Sequence, residues 1–165
     1  MARRSFRTLF REFQRIRGAE PDGGFVADLE YLENRDLDLS VRLGAMLAFN
    51  ALVITLGTHP ISASPGAPLS LDANVRPVLT LLACASIVPL VVSSWLYLKG
   101  LMIGEEFDPL PEDADQGARR EQLFAAFIKS IDAQGRLLGQ GVRWSMAGGA
   151  ATIAVWAAIL ATKML

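Results

Sequence analysis

The stretch PVLTLLACASIVPLVVSSWLYL, residues 77–98, is a run of 22 residues without a charged side chain. Such a run matches the ~20 residues that an α-helix needs to cross the hydrocarbon core of a bilayer. Two further uncharged runs, residues 43–58 and 144–162, contain 16 and 19 residues. The shorter run is extended because Arg42 can snorkel and residues 59–61 can lie in the interface. The three runs predict three transmembrane helices.

The composition agrees with this interpretation. Hydrophobic residues make up 52% of the 165 residues and charged residues 20%, and the charged ones lie outside the three runs. The alternative is a compact soluble bundle of three long helices that are apolar on all faces. Too little polar surface would then remain to cover them. We therefore expect an all-α integral membrane protein.

Basic residues are distributed unevenly around the predicted spans. Of the 16 Lys and Arg, eight precede the first run and six lie between the second and third. The segment between the first two runs contains only Arg76, and the end of the chain only Lys163. By the positive-inside rule, the N-terminus and residues 99–143 are cytoplasmic, and the C-terminus lies outside. Residues 62–75 then form an outer loop.

Arginine usage bears on the membrane in question. Arg outnumbers Lys thirteen to three, which is typical of GC-rich bacterial genomes and favours the bacterial inner membrane. The alternative is the mitochondrial inner membrane, because transit peptides are Arg-rich, amphipathic and poor in acidic residues. The N-terminal stretch shares those properties.

That stretch, ARRSFRTLFREFQRIR at residues 2–17, contains six arginines and one acidic residue. At helical spacing its Phe, Leu and Ile side chains form one apolar stripe, with the arginines on the flanks and far face. The pattern is typical of an interfacial helix, with rings in the acyl boundary and guanidinium groups among anionic head groups. We therefore predict a membrane-surface helix over residues 1–17, with contacts from Arg3, Arg4, Phe6, Arg7, Phe10, Arg11, Phe13, Arg15 and Arg17.

Other functions fit parts of the same stretch. A secretory signal peptide would need an apolar core of 7–15 residues, which is absent. Nucleic-acid binding would use the arginines but leave the Phe stripe unexplained, so we predict no nucleic-acid partner. Two alternatives stay open: a transit peptide, and a segment that only fixes topology and packs on neighbouring helices.

The remaining chain divides at its Gly, Pro and charged segments. Residues 18–24, GAEPDGG, form a linker. A helix over residues 25–61 runs from the cytoplasm through the first span, and residues 76–99 form the second. Residues 100–117 are an acidic cytoplasmic linker, and a helix over residues 118–165 runs into the third span. The predicted fold therefore has three transmembrane helices with cytoplasmic helical extensions and an N-terminal amphipathic helix.

The sequence contains no catalytic motif. His59 is the only histidine and Cys84 the only cysteine, so neither a Ser-His-Asp nor a Cys-His set can be assembled on one side of the membrane. Phosphate-binding glycine patterns are absent. The acidic linker lacks the spacing of a calcium loop and is expected to be solvated or to pair with the N-terminal arginines. We predict no enzyme, no cofactor and no metal site.

Small residues recur at helical spacing in and before the spans. They let helix backbones approach closely, and an intramembrane Asn usually finds a partner across an interface. The predicted helix-packing residues are Gly44, Ala48, Asn50, Gly135, Gly139, Ala147, Gly148 and Ala151. Their faces pack either within one chain or against other subunits.

The order of segments resembles a known family. NRDLDLSVRLGAMLAFNALVITLG at residues 34–57, a second span, a charged stretch and IDAQGRLLGQGVRWSMAGGAA at residues 131–151 are similar in layout to the membrane-spanning effectors of pyrimidine-cyclase antiphage (Pycsar) systems. The resemblance covers about residues 25–160, rests on order and spacing, and excludes the basic start. It implies a helical hairpin, a cytoplasmic linker and a last span, and a signal-gated effector that perturbs the bilayer. No ligand-contacting residue is carried over.

Two functions of different class follow. The first is a small non-enzymatic inner-membrane protein that acts by helix–helix association, as a scaffold, an accessory subunit or a self-assembling protein. The alternative is the signal-gated effector. The expected partners are the lipid bilayer with its anionic head groups, and a second copy or a larger membrane complex.

Overall fold

The computed structural model describes residues 7, 10, 11, 13, 14, 23–64, 66, 67, 69–104 and 115–164. It contains three long α-helices: α1, Gly23–Ser62; α2, Pro77–Leu101; and α3, Gln116–Met164. The described residues before α1 also have helical backbone, and no strand occurs in the described ranges. Each of the three helices is long and apolar enough to cross a membrane. The prediction of an all-helical chain with three such helices is confirmed.

Helices α1 and α3 are much longer than a membrane crossing. They contain 40 and 49 residues. At 1.5 Å per residue they measure about 60 and 74 Å, against about 30 Å of hydrocarbon. Each therefore has two parts. The apolar half comprises residues 43–62 of α1, all of α2 and residues 144–164 of α3; the charged half comprises residues 23–42 of α1 and 116–143 of α3.

The charged half has a hydrophobic core of its own. Apolar side chains recur at four- and seven-residue spacing on α1 and α3, which places them on facing sides of the two helices. Beside this core the Gln134 side-chain amide donates to Asp36 Oδ1 at 2.9 Å and so links α3 to α1. The fully packed members of the core are Phe10, Leu32, Leu39, Phe127 and Ile131.

The loop between α1 and α2 folds over the end of α3. Lys163 Nζ donates to the Ala67 carbonyl at 2.7 Å, and the Arg76 guanidinium donates to both the hydroxyl and the carbonyl of Thr162. Cations at this position complement the partial negative charge of a helix C-terminus. The loop and the end of α3 therefore hold each other in place.

Candidate functional site

Polar side chains lie in the interior of the apolar half, beside Leu43, Leu90 and Ile159, and large apolar side chains cover its surface. Asn50 and Ser93 are 0% exposed, whereas Val78, Leu81 and Ile153 are 68–70% exposed. A soluble protein has the opposite distribution, with buried polar groups as exceptions that need an explanation. The buried polar groups are therefore the candidate site.

Four buried side chains form one hydrogen-bonded chain across all three helices, whereas Ser86 and Thr152 bond the backbone of their own helices. The Ser145 hydroxyl donates to Asn50 Oδ1 at 2.8 Å, and Asn50 Nδ2 donates to Ser93 Oγ at 2.9 Å. The single hydroxyl hydrogen of Ser93 has two acceptors within reach, the Gly141 carbonyl at 2.8 Å and Ser145 Oγ at 2.7 Å. Because Ser145 uses its only hydrogen on Asn50, the Tyr97 hydroxyl at 3.0 Å from Ser145 Oγ must be the donor of that bond. We call Asn50, Ser93, Tyr97 and Ser145 the polar junction.

The Asn50 amide has all of its hydrogen-bonding groups satisfied. Its second N–H faces the Leu90 carbonyl and Ser94 Oγ, each at 3.3 Å from Nδ2. In an apolar environment an unbonded amide or hydroxyl is costly, so a complete set of partners fixes how the helices are rotated and aligned. The junction holds α1, α2 and α3 in one register.

Two glycines let α3 approach α2 beside the junction. A Cβ added to Gly141 would lie 2.3 Å from Tyr97 Cε1, and one added to Gly148 would lie 2.6 Å from Leu90 Cγ. Both distances are shorter than real contacts allow, so these positions require glycine. Gly141, Ser145, Gly148 and Thr152 form one buried stripe along α3.

The predicted packing residues divide into two groups. Asn50 and Gly148 lie in the interior, and Ala151 is half-buried in a groove between α2 and α3. A Cβ on Gly44 would meet no atom within 4 Å, so the outward side of this half-buried glycine faces open space. The remaining positions also lie away from the junction: Ala48 and Ala147 are exposed, and Gly135 and Gly139 are half-buried in the charged half.

Sequence reasoning missed four of the residues that build the site: Ser93, Ser145, Tyr97 and Gly141. The missed signal is the small-residue stripe at residues 141, 145, 148 and 152, whose four- and three-residue steps follow one helical face. Ala147 was expected on that face. It points elsewhere because adjacent helical residues are rotated by about 100°.

The described N-terminal residues lie against the charged half. Phe10 is 3% exposed, and its ring packs edge-to-face on Phe124 with centroids 5.6 Å apart. The Phe13 ring stacks on Tyr31 at 4.3 Å. Gln14, one residue further, donates to a carboxylate on α1, that of the buried Asp28, at 2.8 Å.

In this arrangement Phe10 and Phe13 contact protein side chains, and their position in the membrane surface stays a prediction. Their partner Tyr31 precedes the uncharged run by 12 residues, about 18 Å along α1. An interfacial helix lies within about 5–10 Å of the acyl boundary. The two rings pack on protein because α1 and α3 have apolar faces of their own, which the rings cover. These ring contacts are those expected of the other alternative, a segment that packs on neighbouring helices.

Among the arginines of the predicted surface helix, the structure describes two. Arg7 and Arg11 are exposed. The other predicted surface contacts, Arg3, Arg4, Phe6, Arg15 and Arg17, lie outside the described residues.

The stacked pair gives a test of the docked position. We expect Phe13→Leu to lower the free energy of unfolding of the charged half by about 1 kcal/mol, because it removes ring stacking but keeps apolar bulk. Combined with Tyr31→Leu, the two losses should be less than additive, as measured by hydrogen exchange in the charged half. Arg11→Leu, at an exposed position, is the control. Strict additivity of Phe13 and Tyr31 would contradict the contact.

The arrangement of side chains defines what the site can do chemically. The junction offers hydroxyls and one amide, all engaged in hydrogen bonds, which hold helices together. Among the described residues, no group of three His, Cys, Asp or Glu is placed to hold a metal ion. In comparisons with protein families, curated proteins and solved structures, nothing matched the chain.

Proposed function

We propose that the chain is a three-span, non-enzymatic membrane protein that acts by helix–helix association. The distribution of side chains in the apolar half supports this proposal, because large apolar side chains are exposed there and polar ones are buried. Lipid would cover Val78, Leu81 and Ile153, which are exposed, while buried polar groups in a bilayer must bond to one another, as those of the junction do. The basic segments favour a cytoplasmic charged half and, with the Arg-rich composition, the bacterial inner membrane.

The associating surface is the outward face of α1. Gly44 has no neighbour there, and Ala48, one turn further, is exposed. A glycine inside a helix costs roughly 0.5–1 kcal/mol relative to alanine, and no contact within the chain offsets that cost. The close approach of a second helix would offset this cost, because membrane helices pair through faces of small residues.

The same face continues beyond the uncharged run. Leu37 and Val41 are 62% and 63% exposed, about two turns and one turn before Gly44, in the charged half, which the proposed insertion places outside the lipid tails. A second copy that packs along α1 would cover Leu37, Val41 and the Gly44–Ala48 surface together. We therefore propose a homo-oligomer built on paired α1 helices.

The mass of the protein in mild detergent tests this surface. We expect a wild-type oligomer, and for Gly44→Leu with Ala48→Leu a mass by light scattering that falls to that of one chain, 17.9 kDa. Ala157→Leu with Ala161→Leu adds nearly the same bulk, one carbon less, at exposed positions of α3 and should leave the oligomer intact. A monomeric wild type, or an oligomer that survives the α1 substitutions, would reject the α1 interface.

The second candidate function is a signal-gated effector that perturbs the bilayer. In its favour, the charged half has its own aromatic core and is joined to the apolar half by two unbroken helices, α1 and α3. Dye leakage from vesicles containing the wild type, reduced by substitutions in that core, would favour the effector over a passive scaffold.

A further inference from the structure

A groove opens between α2 and α3 on the surface of the apolar half. It runs along residues 79–86 of α2 and 151–158 of α3, about 10 Å of each helix. Its volume is about 390 Å³, within the ~300–1,000 Å³ of small-molecule sites. The lining is apolar except for the Ser86 hydroxyl, which already bonds the Ala83 carbonyl. The groove therefore suits a hydrocarbon chain.

The groove is closed at one end and has a cation at the other. One turn beyond its inner end α2 and α3 are in contact, since a Cβ added to Gly148 would lie 2.6 Å from Leu90 Cγ. At the outer end Arg76, three residues before the groove on α2, donates to the hydroxyl and carbonyl of Thr162, four residues beyond it on α3. Residues three or four apart share a helix face, so the guanidinium is held above the outer end of the groove.

The guanidinium has the geometry to hold a phosphate there. It has five N–H groups, and its two bonds to Thr162 use two of them. Arginine presents its N–H groups as a planar fork that matches the oxygens of a phosphate. The bonds to Thr162 fix the side chain in place, so little conformational entropy remains to be lost when a phosphate binds.

The proposed insertion places this cation among lipid head groups. Trp95 and Trp144 are 67% and 46% exposed, and exposed tryptophans in membrane helices lie at the membrane–water interface. Arg76 precedes Trp95 by 19 residues, about 29 Å along α2. This distance is close to the ~30 Å thickness of the hydrocarbon core. Arg76 therefore lies at the head groups of the opposite leaflet, and the groove lies among the acyl chains of that leaflet.

An acyl chain fits the groove better than a second helix does. Two turns of helix with side chains form a cylinder about 10 Å wide and 11 Å long, or about 850 Å³. That is more than twice the volume of the groove, so a helix would rest on its rim and bring apolar side chains up to Arg76. A phospholipid has the two required parts in the right order, an acyl chain for the groove and a phosphate for the guanidinium.

We propose that the groove binds an anionic phospholipid, with one acyl chain between α2 and α3 and the phosphate on Arg76. The inference rests on the proposed three-span insertion, since the groove meets acyl chains only if the apolar half lies in a bilayer. The bound chain covers Leu82 and Ala154, which are exposed. It joins α2 to α3 in the part of the span that the polar junction does not reach.

Native mass spectrometry of the full-length protein, in mild detergent with equal amounts of phosphatidylglycerol and phosphatidylcholine, tests the site. We expect the chain to retain one lipid and to retain phosphatidylglycerol about fivefold more often, the preference of one arginine for an anionic head group. Arg76→Gln keeps a donor to Thr162 but removes the charge, so it should retain both lipids equally. Arg76→Lys should keep the preference, as should the control Arg136→Gln, an exposed position in the charged half.

A second pair of variants tests the groove itself. Ala154→Leu with Ala158→Leu fills it and should abolish retention of both lipids. Ala150→Leu with Ala157→Leu adds the same bulk to α3 outside the groove, at exposed positions, and should retain lipid as the wild type does. The Arg76 variants leave the packing of the helices unchanged, so they test the proposal even if the filled groove prevents folding.

The possible failures can be told apart. If the protein floats with vesicles after alkaline carbonate treatment but retains no lipid, or retains both lipids equally, the lipid site is wrong and the three-span proposal stands. If carbonate strips the protein from the vesicles, the three-span proposal is wrong and the lipid site falls with it. If filling the groove lowers the mass in detergent to that of one chain, a second copy occupies the groove and the lipid site is wrong.

Discussion

Gly141→Ala is expected to lower the free energy of unfolding by about 3 kcal/mol, the upper range for an overpacked interior. The new methyl group would lie 2.3 Å from Tyr97 Cε1 and 2.8 Å from Cζ. The Tyr97 ring is fully buried and its hydroxyl is bonded to Ser145, so it has no room to move aside. Thermal or denaturant unfolding in mild detergent measures the loss.

A neighbouring glycine provides the matched control. Gly149→Ala adds the same methyl group to the same helix, where a Cβ meets nothing within 4 Å. Because alanine favours helix over glycine, this variant should be as stable as the wild type or more stable, by up to about 1 kcal/mol. Tyr97→Val together with Gly141→Ala should destabilise by less than the sum of the two single variants, because the shorter side chain leaves room for the methyl group. Equal effects at Gly141 and Gly149 would contradict the close approach of α2 and α3.

Asn50→Leu is expected to lower the free energy of unfolding by about 2 kcal/mol, the cost of leaving buried polar groups without partners. Leucine has the same number and branching of side-chain heavy atoms as asparagine and a larger volume, so it leaves no cavity. Two bonds are lost, from Ser145 to Asn50 Oδ1 and from Asn50 Nδ2 to Ser93 Oγ, and the two serine oxygens, 2.7 Å apart, can replace them with only one. Both hydroxyls stay buried in apolar surroundings.

A double-mutant cycle identifies the bond that matters. Asn50→Leu and Ser145→Ala together should destabilise by about 1 kcal/mol less than the sum of the single variants, the size of a hydrogen bond between membrane helices. Thr55→Val serves as the control, because Thr55 is exposed and bonds only the Ala51 carbonyl of its own helix. An Asn50–Ser145 cycle that is as additive as the Asn50–Thr55 cycle would exclude a connected junction.

The sequence contained enough information to predict the three helices but only part of the junction. Asn50 was predicted to bond across an interface because a buried amide in an apolar run needs a partner. Its partners could not be chosen from the pattern. A serine in an apolar helix often bonds its own backbone, as Ser86 does to the Ala83 carbonyl at 2.8 Å. The packing of the three helices decides that Ser86 bonds its own backbone while Ser93 bonds Asn50 of another helix.

Identical local patterns also had different outcomes for the glycines and the N-terminal aromatic residues. Gly44 and Gly148 both lie in small-residue stripes, yet one faces open space and the other faces Leu90. The Phe stripe predicted an apolar contact at Phe10 without saying which apolar surface supplies it. In each case helical periodicity identifies a face, and the neighbour of that face depends on distant parts of the chain.

The unbroken 49-residue length of α3 has a mechanical consequence. Suppose that α3 rotates as a rigid rod about the polar junction at Ser145. Gln116 lies about 43 Å from that point on one side, and Met164 lies about 28 Å from it on the other. A sideways displacement of about 3 Å at Gln116 then swings Met164 by about 2 Å in the opposite direction, comparable to the 1–2 Å helix shifts of known switching proteins. Lys163 and Arg76 bond that end of α3 to the loop between α1 and α2. A displacement of the end of α3 would therefore move the loop as well.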